Sequence, residues 1–294
     1  MSTTDTDTSA AGPERLLYRP PPAAPARFRQ LLAAEWIKIW SLRSTYWALG
    51  ISALAIIALN ANSARVHFAD YRDMPPMVRD ANAALALRDA FTSGAAMMLI
   101  LAAASIGAIT IVGEYGTGLI RTTFAAVPAR RALMAAKVTV VTAVLTVYGA
   151  FTAGVSFAAT QAVLSGRNAD VALSYPGAWR VVVASALLAP VCALAGMGLG
   201  AVIRHSATTM VAITGVLLLL PAFITDRYRW TAAVRDALPY NAWTRLVDAS
   251  YGHNPHVIYP RFYPETVTGS WVAFGAWAVL AGVVAVLVVD RRDV

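Results

Sequence analysis

The stretch AFTSGAAMMLILAAASIGAITIVGEYGTGLIRTTFAAVPARR, residues 90–131, decides the fold. Its first part, residues 90–112, is uncharged and reaches the length of about 20 residues that an α-helix needs to cross a bilayer. Glu114 then interrupts the apolar run, and a pattern of glycines, arginines and a proline follows. The stretch therefore predicts a membrane-spanning helix followed by an ordered segment at the membrane surface.

The whole chain has the composition of a polytopic membrane protein. Of its 294 residues, 58% are hydrophobic and 14% are charged, whereas soluble domains carry about 25% charged residues. Its net charge of +8 comes mostly from residues that flank apolar runs, which favours a role in membrane orientation over nucleic-acid binding. The apolar runs predict an all-α fold of six spanning helices, at about 45–61, 90–112, 135–164, 180–203, 207–225 and 269–289.

The remaining segments complete the predicted organisation. Residues 1–26 are polar and proline-rich, which is typical of a disordered tail, so that residues 27–294 form the transmembrane domain. Residues 28–43 predict an amphipathic interfacial helix whose apolar face holds Leu31, Trp36 and Ile39. The outer loops are residues 62–89, a solvated surface, and 226–268, in which Trp243, Leu246, Val247 and Ser250 predict a short interfacial helix. Pro190 is expected to kink the fourth span.

The orientation rests on lysines and arginines near the spans. Lys38 and Arg43 precede the first span, and Arg291 and Arg292 follow the last one. The total number of basic residues on the two sides is nearly even, so these positions carry the argument. We expect both termini to be cytoplasmic.

Few residues in the sequence suggest catalysis. The chain has two lysines, preceded by Ile37 and Ala136, so it lacks the Gly-Lys-Ser or Gly-Lys-Thr of a phosphate-binding loop. A single cysteine excludes an internal disulfide, and the His253-x-x-His256 pair lacks a nearby third ligand of the kind metal sites usually have. We expect no catalytic, cofactor or metal site and no enzymatic activity in this chain.

Small residues line one side of the fourth predicted span. Cys192, Gly196 and Gly200 recur every four residues, a spacing that lets another helix approach closely. The partner helix could belong to the same chain or to a second copy, and the pattern leaves both open.

The segment 113–131 is predicted to form a short helix on the inner membrane surface. Glu114 at the end of the span must be hydrated or paired. Gly116 and Gly118 relax the backbone as the chain leaves the membrane. Pro128 ends the short helix, and Arg130, Arg131 and Lys137 mark the point where the chain returns to the bilayer.

Three stretches together resemble type-2 ATP-binding-cassette (ABC) exporter permeases. The first is Glu114-Tyr-Gly-Thr-Gly118, continued by Arg121-Thr-Thr-Phe-Ala-Ala-Val-Pro128-Ala-Arg130-Arg131 and by Lys137. The second is AAEWIKIWSLRSTYW, residues 33–47, and the third is ALPYNAW, residues 237–243. The resemblance covers nearly the whole chain except the N-terminal tail.

The resemblance implies a function and a set of partners. Residues 115–131 would form a coupling helix that docks on a separate ATPase subunit, and the helix before the first span would also contact it. The implied interface residues are Glu114, Tyr115, Gly116, Thr117, Gly118, Arg121, Pro128, Arg130 and Arg131, together with Glu35, Trp36, Lys38 and Arg43 of the interfacial helix. ATP would be bound by two ATPase copies, and a second permease copy, identical or different, would complete the exporter in the bacterial cell membrane.

Two other classes remain open at this point. One is a membrane scaffold or assembly protein without transport activity. The other is an ion-coupled secondary transporter, which the nearly uncharged spans disfavour because such proteins place ionisable residues near the midplane. The transported substrate cannot be read from these residues.

Overall fold

A computed structural model describes residues 27–71, 73–75, 82–119, 129–248, 263 and 266–291. Three predicted segments lie wholly or partly outside these residues: the tail, the middle of segment 113–131, and most of the second half of loop 226–268. The helices are α1 (Phe28–Ser41), α2 (Arg43–Asp70), α3 (Asn82–Ala90), α4 (Ser93–Gly116), α5 (Arg130–Leu164), α6 (Ala178–Ile203), α7 (Ser206–Ile213), α8 (Leu220–Phe223), α9 (Arg229–Asp236), α10 (Pro239–Val247) and α11 (Val267–Arg291).

The described residues form an all-helical protein with six helical segments long and apolar enough to cross a membrane. They are α2, α3 with α4, α5, α6, α7 with α8, and α11. A π-helical turn over Thr214–Leu219 joins α7 to α8 within the fifth segment. The prediction of an all-α, multi-pass membrane protein is therefore confirmed.

Helix α6 forms the centre of the bundle. It is the most buried of the six segments, and α4, α5 and α11 pack around it. Helix α2 packs on α5 and α4, while α2, α7 with α8, and α11 leave most of their surface uncovered. Exposed apolar side chains such as Trp47, Leu54, Phe223 and Val279 lie on these outer helices, where a bilayer would solvate them.

Glycine allows α4 and α6 to touch backbone to backbone. A Cβ atom at Gly196 would collide with the carbonyl of Ala104, and one at Gly107 would collide with the carbonyl of Ala193. The small residues of α6 thus face α4 of the same chain. Such close approach, with Cα–H groups against carbonyl oxygens, is a common way for helices to pack in membranes.

Pro190 lies inside α6, and the helix continues through it. Proline has no N–H, so the carbonyl of Ala186 lacks its usual partner one turn later. Gly149 of α5 packs directly against this carbonyl. The close approach of α5 covers the place where the ladder of hydrogen bonds is interrupted.

The first span extends beyond its predicted end at residue 61. Helix α2 continues to Asp70, and α3 occupies part of the loop predicted to be a solvated surface. Ala64, Leu87 and Leu164 form a second apolar cluster there, separate from the main core. The helix continues because this cluster buries its last turns even though the local sequence is polar.

The helix predicted around Trp243 forms, but it packs on protein. Helix α10 lies against α6 and α11, and Trp243 is buried and donates a hydrogen bond to the Ser185 hydroxyl over 3.1 Å. Leu246 and Val247 are buried as well, and Ser250 lies outside the described residues. The apolar face that indicated the membrane interface instead covers one end of the bundle.

Candidate functional site

Four charged side chains meet where α1, the end of α4 and the beginning of α5 come together. They are Glu35 and Lys38 of α1, Glu114 of α4 and Lys137 of α5, and we call them the charge ring. The side of the bundle that holds them is called the Glu114 end below. Both lysines of the entire sequence belong to the ring.

Acids and bases alternate around the ring. The Lys137 Nζ lies 2.6 Å from Glu35 Oε2 and 2.8 Å from Glu114 Oε1. The Lys38 Nζ lies 3.0 Å from Glu35 Oε1 and 2.6 Å from the same Glu114 oxygen. Each lysine therefore donates hydrogen bonds to both glutamates, and the four charges sum to zero.

The ring is deeply enclosed. The side chains of Lys137 and Glu35 are 2% and 3% exposed, Glu114 is 10% exposed, and Lys38 is 32% exposed. Water therefore reaches mainly one corner of the ring. Removing one partner from a buried ion pair leaves an uncompensated charge and is strongly destabilising, so the four groups depend on one another.

Lys38 is the corner nearest to solvent, and its charge is well held. Burial alone would lower the pKa of Lys38, but hydrogen bonding and attraction to Glu114, with a further contribution from Glu35, outweigh burial and raise that pKa above its usual value. A raised lysine pKa stabilises the folded protein at neutral pH, and that contribution is lost only as the pH rises through the folded-state pKa. Lys38 therefore stays charged across the neutral range.

The ring determines which face of α1 is buried. Leu31, Glu35 and Ile39 face the bundle, whereas Trp36 is 50% exposed. The apolar pattern groups Trp36 with Leu31 and Ile39 on one face toward the membrane interface. In the structure Leu31 and Ile39 pack on the bundle together with Glu35, for which Lys137 supplies a partner.

Aromatic side chains join α1 to the first span. Trp40 stacks on Tyr46 with ring centroids 5.5 Å apart, and Trp36 meets Trp40 edge-on. The Tyr46 hydroxyl donates a hydrogen bond to the backbone carbonyl of Trp40. Only one residue separates α1 from α2, so the two helices form a tight corner. Arg43, the first residue of α2, is exposed.

Helix α4 ends as its glycines suggest. Gly116 is its last residue, Thr117 caps it, and the Thr117 hydroxyl donates to the Gly113 carbonyl over 2.9 Å. Gly118 follows with φ of +69°, a left-handed conformation that glycine adopts at little cost. Tyr115 lies beneath the guanidinium of Arg204, whose Cζ is 4.8 Å from the ring centroid.

The other predicted interface residues lie around the same end or outside the described residues. Arg130 and Arg131 are the first two residues of α5, about two turns before the ring lysine Lys137. Arg121 and Pro128 lie outside the described residues, and so do His253 and His256. Gly196 and Gly200 belong to the contact of α6 with α4, Cys192 is buried in α6, and none of the three belongs to the ring.

Lys137 is the member of the ring that sequence reasoning missed. The sequence pattern places it only at the point where the chain returns to the membrane. The signal was present, because a lysine within the predicted span 135–164 needs a partner or a path to water. Neither Glu35 nor Glu114 could be named as that partner before the helices were placed.

The geometry gives one mechanical arrangement. The ring fastens α1 to both helices that flank segment 117–129, over sequence separations of 76 and 102 residues.

Comparison of the sequence with protein-family models and with curated proteins found no significant match.

Proposed function

We propose that this chain is the transmembrane permease subunit of an ATP-driven ABC exporter with the type-2 fold. ATP is bound and hydrolysed by two separate ATPase subunits, and the permease works as a pair, identical or different, in a bacterial cell membrane. The charge ring is the observation that carries the proposal, because it links α1 to both sides of the segment that resembles a coupling helix. The six membrane segments support a multi-pass membrane protein, and the sequence motifs are the reason for proposing a permease with an ATPase partner.

The ring explains how motion of an ATPase would reach the spans. A push on residues 117–129 acts on the end of α4 and on the beginning of α5. Because buried ion pairs hold these two ends to α1, the three helices would move as one body. The displacement would then pass along α4 and α5 to α6, against which both pack.

The proposal places the Glu114 end in the cytoplasm, and cysteine labelling tests this. In a Cys192→Ala background, Leu173→Cys at the opposite end should react with a membrane-impermeant maleimide in intact cells, because Leu173 is 53% exposed. Leu119→Cys, 45% exposed, should react only after the cells are opened. The reverse labelling pattern would place the predicted ATPase contact outside the cell and exclude the proposal.

Photo-cross-linking tests the ATPase partner itself. A photoreactive amino acid at Arg121, within the proposed coupling segment, should cross-link in whole cells to a protein that contains a phosphate-binding loop. The same amino acid at Leu173 is the control and should not, because the turn after α5 lies at the far end of the bundle. If neither position captures such an ATPase, the result favours the alternative of a membrane scaffold or assembly protein without transport activity.

Coupling is tested with the complex of permease and ATPase. Glu114→Gln combined with Arg130→Glu and Arg131→Glu should reduce ATP-driven export, because these residues lie at both ends of the proposed coupling segment. Complex formation and transport that are both unchanged would rule out a coupling role for the segment. A complex that forms normally but exports poorly would separate docking from the transmission of motion.

A further inference from the structure

Arg204 ends α6 at the Glu114 end, and its side chain is held in an unusual way. Its backbone is left-handed, with φ of 60°, and its N–H donates to the Gly200 carbonyl over 2.9 Å. Non-glycine residues adopt this conformation only where their surroundings enforce it. The result is that the guanidinium lies over the face of Tyr115.

The stacked guanidinium has an unfilled edge. The Nε and Nη2 atoms of Arg204 are both buried, and neither makes a hydrogen bond within the part of the chain that the structure describes. These two nitrogens share one edge of the guanidinium plane, and such a pair of N–H groups grips two oxygens of one carboxylate or phosphate. A buried, charged donor pair without an acceptor is unfavourable, which indicates that an oxyanion completes the site.

Neither glutamate of the charge ring fills that edge. Glu114 precedes Tyr115, and its carboxylate accepts hydrogen bonds from Lys38 and Lys137. Glu35 accepts from the same two lysines. The charge ring is neutral by itself, so the positive charge of Arg204 calls for an anion from elsewhere.

The surroundings favour a lipid as the source of that anion. Helices α4 and α7 pack against each other beside Arg204 and expose Ile109 and Val211, which are 52% and 72% exposed. This is apolar surface that acyl chains would cover, and it leads to the helix ends where phosphate groups of lipids lie. Basic sites between membrane helices are known to bind lipid head groups.

We propose that Arg204 binds the phosphate of an anionic phospholipid with its Nε and Nη2 edge, while Tyr115 supports the guanidinium from below. The site takes one lipid per chain in the leaflet at the Glu114 end. This inference does not depend on the transport function proposed above.

The test uses the full chain in detergent, titrated with phosphatidylglycerol or phosphatidylcholine and observed by native mass spectrometry. Arg204→Gly keeps the left-handed backbone and removes the guanidinium, Arg204→Lys keeps the charge, and Arg29→Gln removes an exposed arginine of α1 from the same end. We expect Arg204→Gly to weaken phosphatidylglycerol binding by about 10- to 100-fold and Arg204→Lys to weaken it less. Binding by Arg29→Gln should be unchanged.

Three outcomes would overturn the proposal. The first is that Arg204→Gly binds phosphatidylglycerol as tightly as the parent chain. The second is that inorganic phosphate displaces the lipid at millimolar concentration, which would identify a site for free phosphate. The third is that both Arg204 variants unfold in phosphatidylcholine alone, because the guanidinium would then serve a partner within the protein.

Discussion

Replacement of Lys137 by methionine should lower the free energy of unfolding by about 3–5 kcal/mol. The Lys137 side chain is 2% exposed and is the shared partner of Glu35 and Glu114. Without it, two carboxylates remain enclosed with only Lys38 between them, and the enclosed charge becomes negative. The loss should appear as a lower melting temperature of the purified chain in detergent. Size-exclusion chromatography of heated samples measures that temperature.

Two further variants separate the ring from a general effect of losing a lysine. Lys38→Met removes the corner that is 32% exposed, where water can replace the lost partner, so a smaller loss is expected. The double variant Glu35→Gln with Lys137→Met restores neutrality and leaves the pair of Lys38 and Glu114, so it should recover part of the stability lost in Lys137→Met. Strictly additive losses in the double variant would show that the four residues do not act as a unit. Equal losses for the two lysine variants would show that water does not compensate for the loss of Lys38.

The sequence predicts the membrane segments well, because a bilayer imposes length and apolarity on each helix separately. Its errors lie where helices continue beyond the apolar run. Helix α2 extends to Asp70 because Ala64 and His67 pack against their neighbours, and His67 Nδ1 lies 2.5 Å from Asp89 Oδ2 of α3. Hydropathy marks where the membrane ends, but the hydrogen bonds of a helix do not stop there.

The charge ring was only partly predictable, for a different reason. Glu114 stands out because it ends an apolar run, and Glu35 and Lys38 stand out as charges on a helix rich in tryptophan. Their convergence depends on where α1 lies against α5, which no local spacing specifies. The apolar pattern of α1 includes Leu31 and Ile39, which are buried, but it leaves out Glu35, because a glutamate counts as polar until its lysine partner is known.

The contact of α4 with α6 gives the second large expected effect. Gly196→Ala should lower the free energy of unfolding by about 1–3 kcal/mol, which is the usual penalty of overpacking a core. Its new Cβ would collide with the Ala104 carbonyl. The backbone of α4 cannot rotate away as a side chain could, so the helices must separate. Gly196→Leu should then prevent the chain from folding, observed as loss of the monodisperse protein in detergent.

A graded series of glycine-to-alanine variants makes this prediction specific. At Gly200 a Cβ would lie 3.0 Å from Val112 Cγ2 and 3.3 Å from the Ala108 carbonyl, so Gly200→Ala should cost less than Gly196→Ala because the valine side chain can shift. Gly275 of α11 is the control, since a Cβ there meets no atom within 4 Å, and alanine is the better helix former. We expect melting temperatures to fall in the order Gly275→Ala, Gly200→Ala, Gly196→Ala. Equal melting temperatures for the variants at Gly275 and Gly196 would mean that α4 and α6 are not in backbone contact in the folded protein.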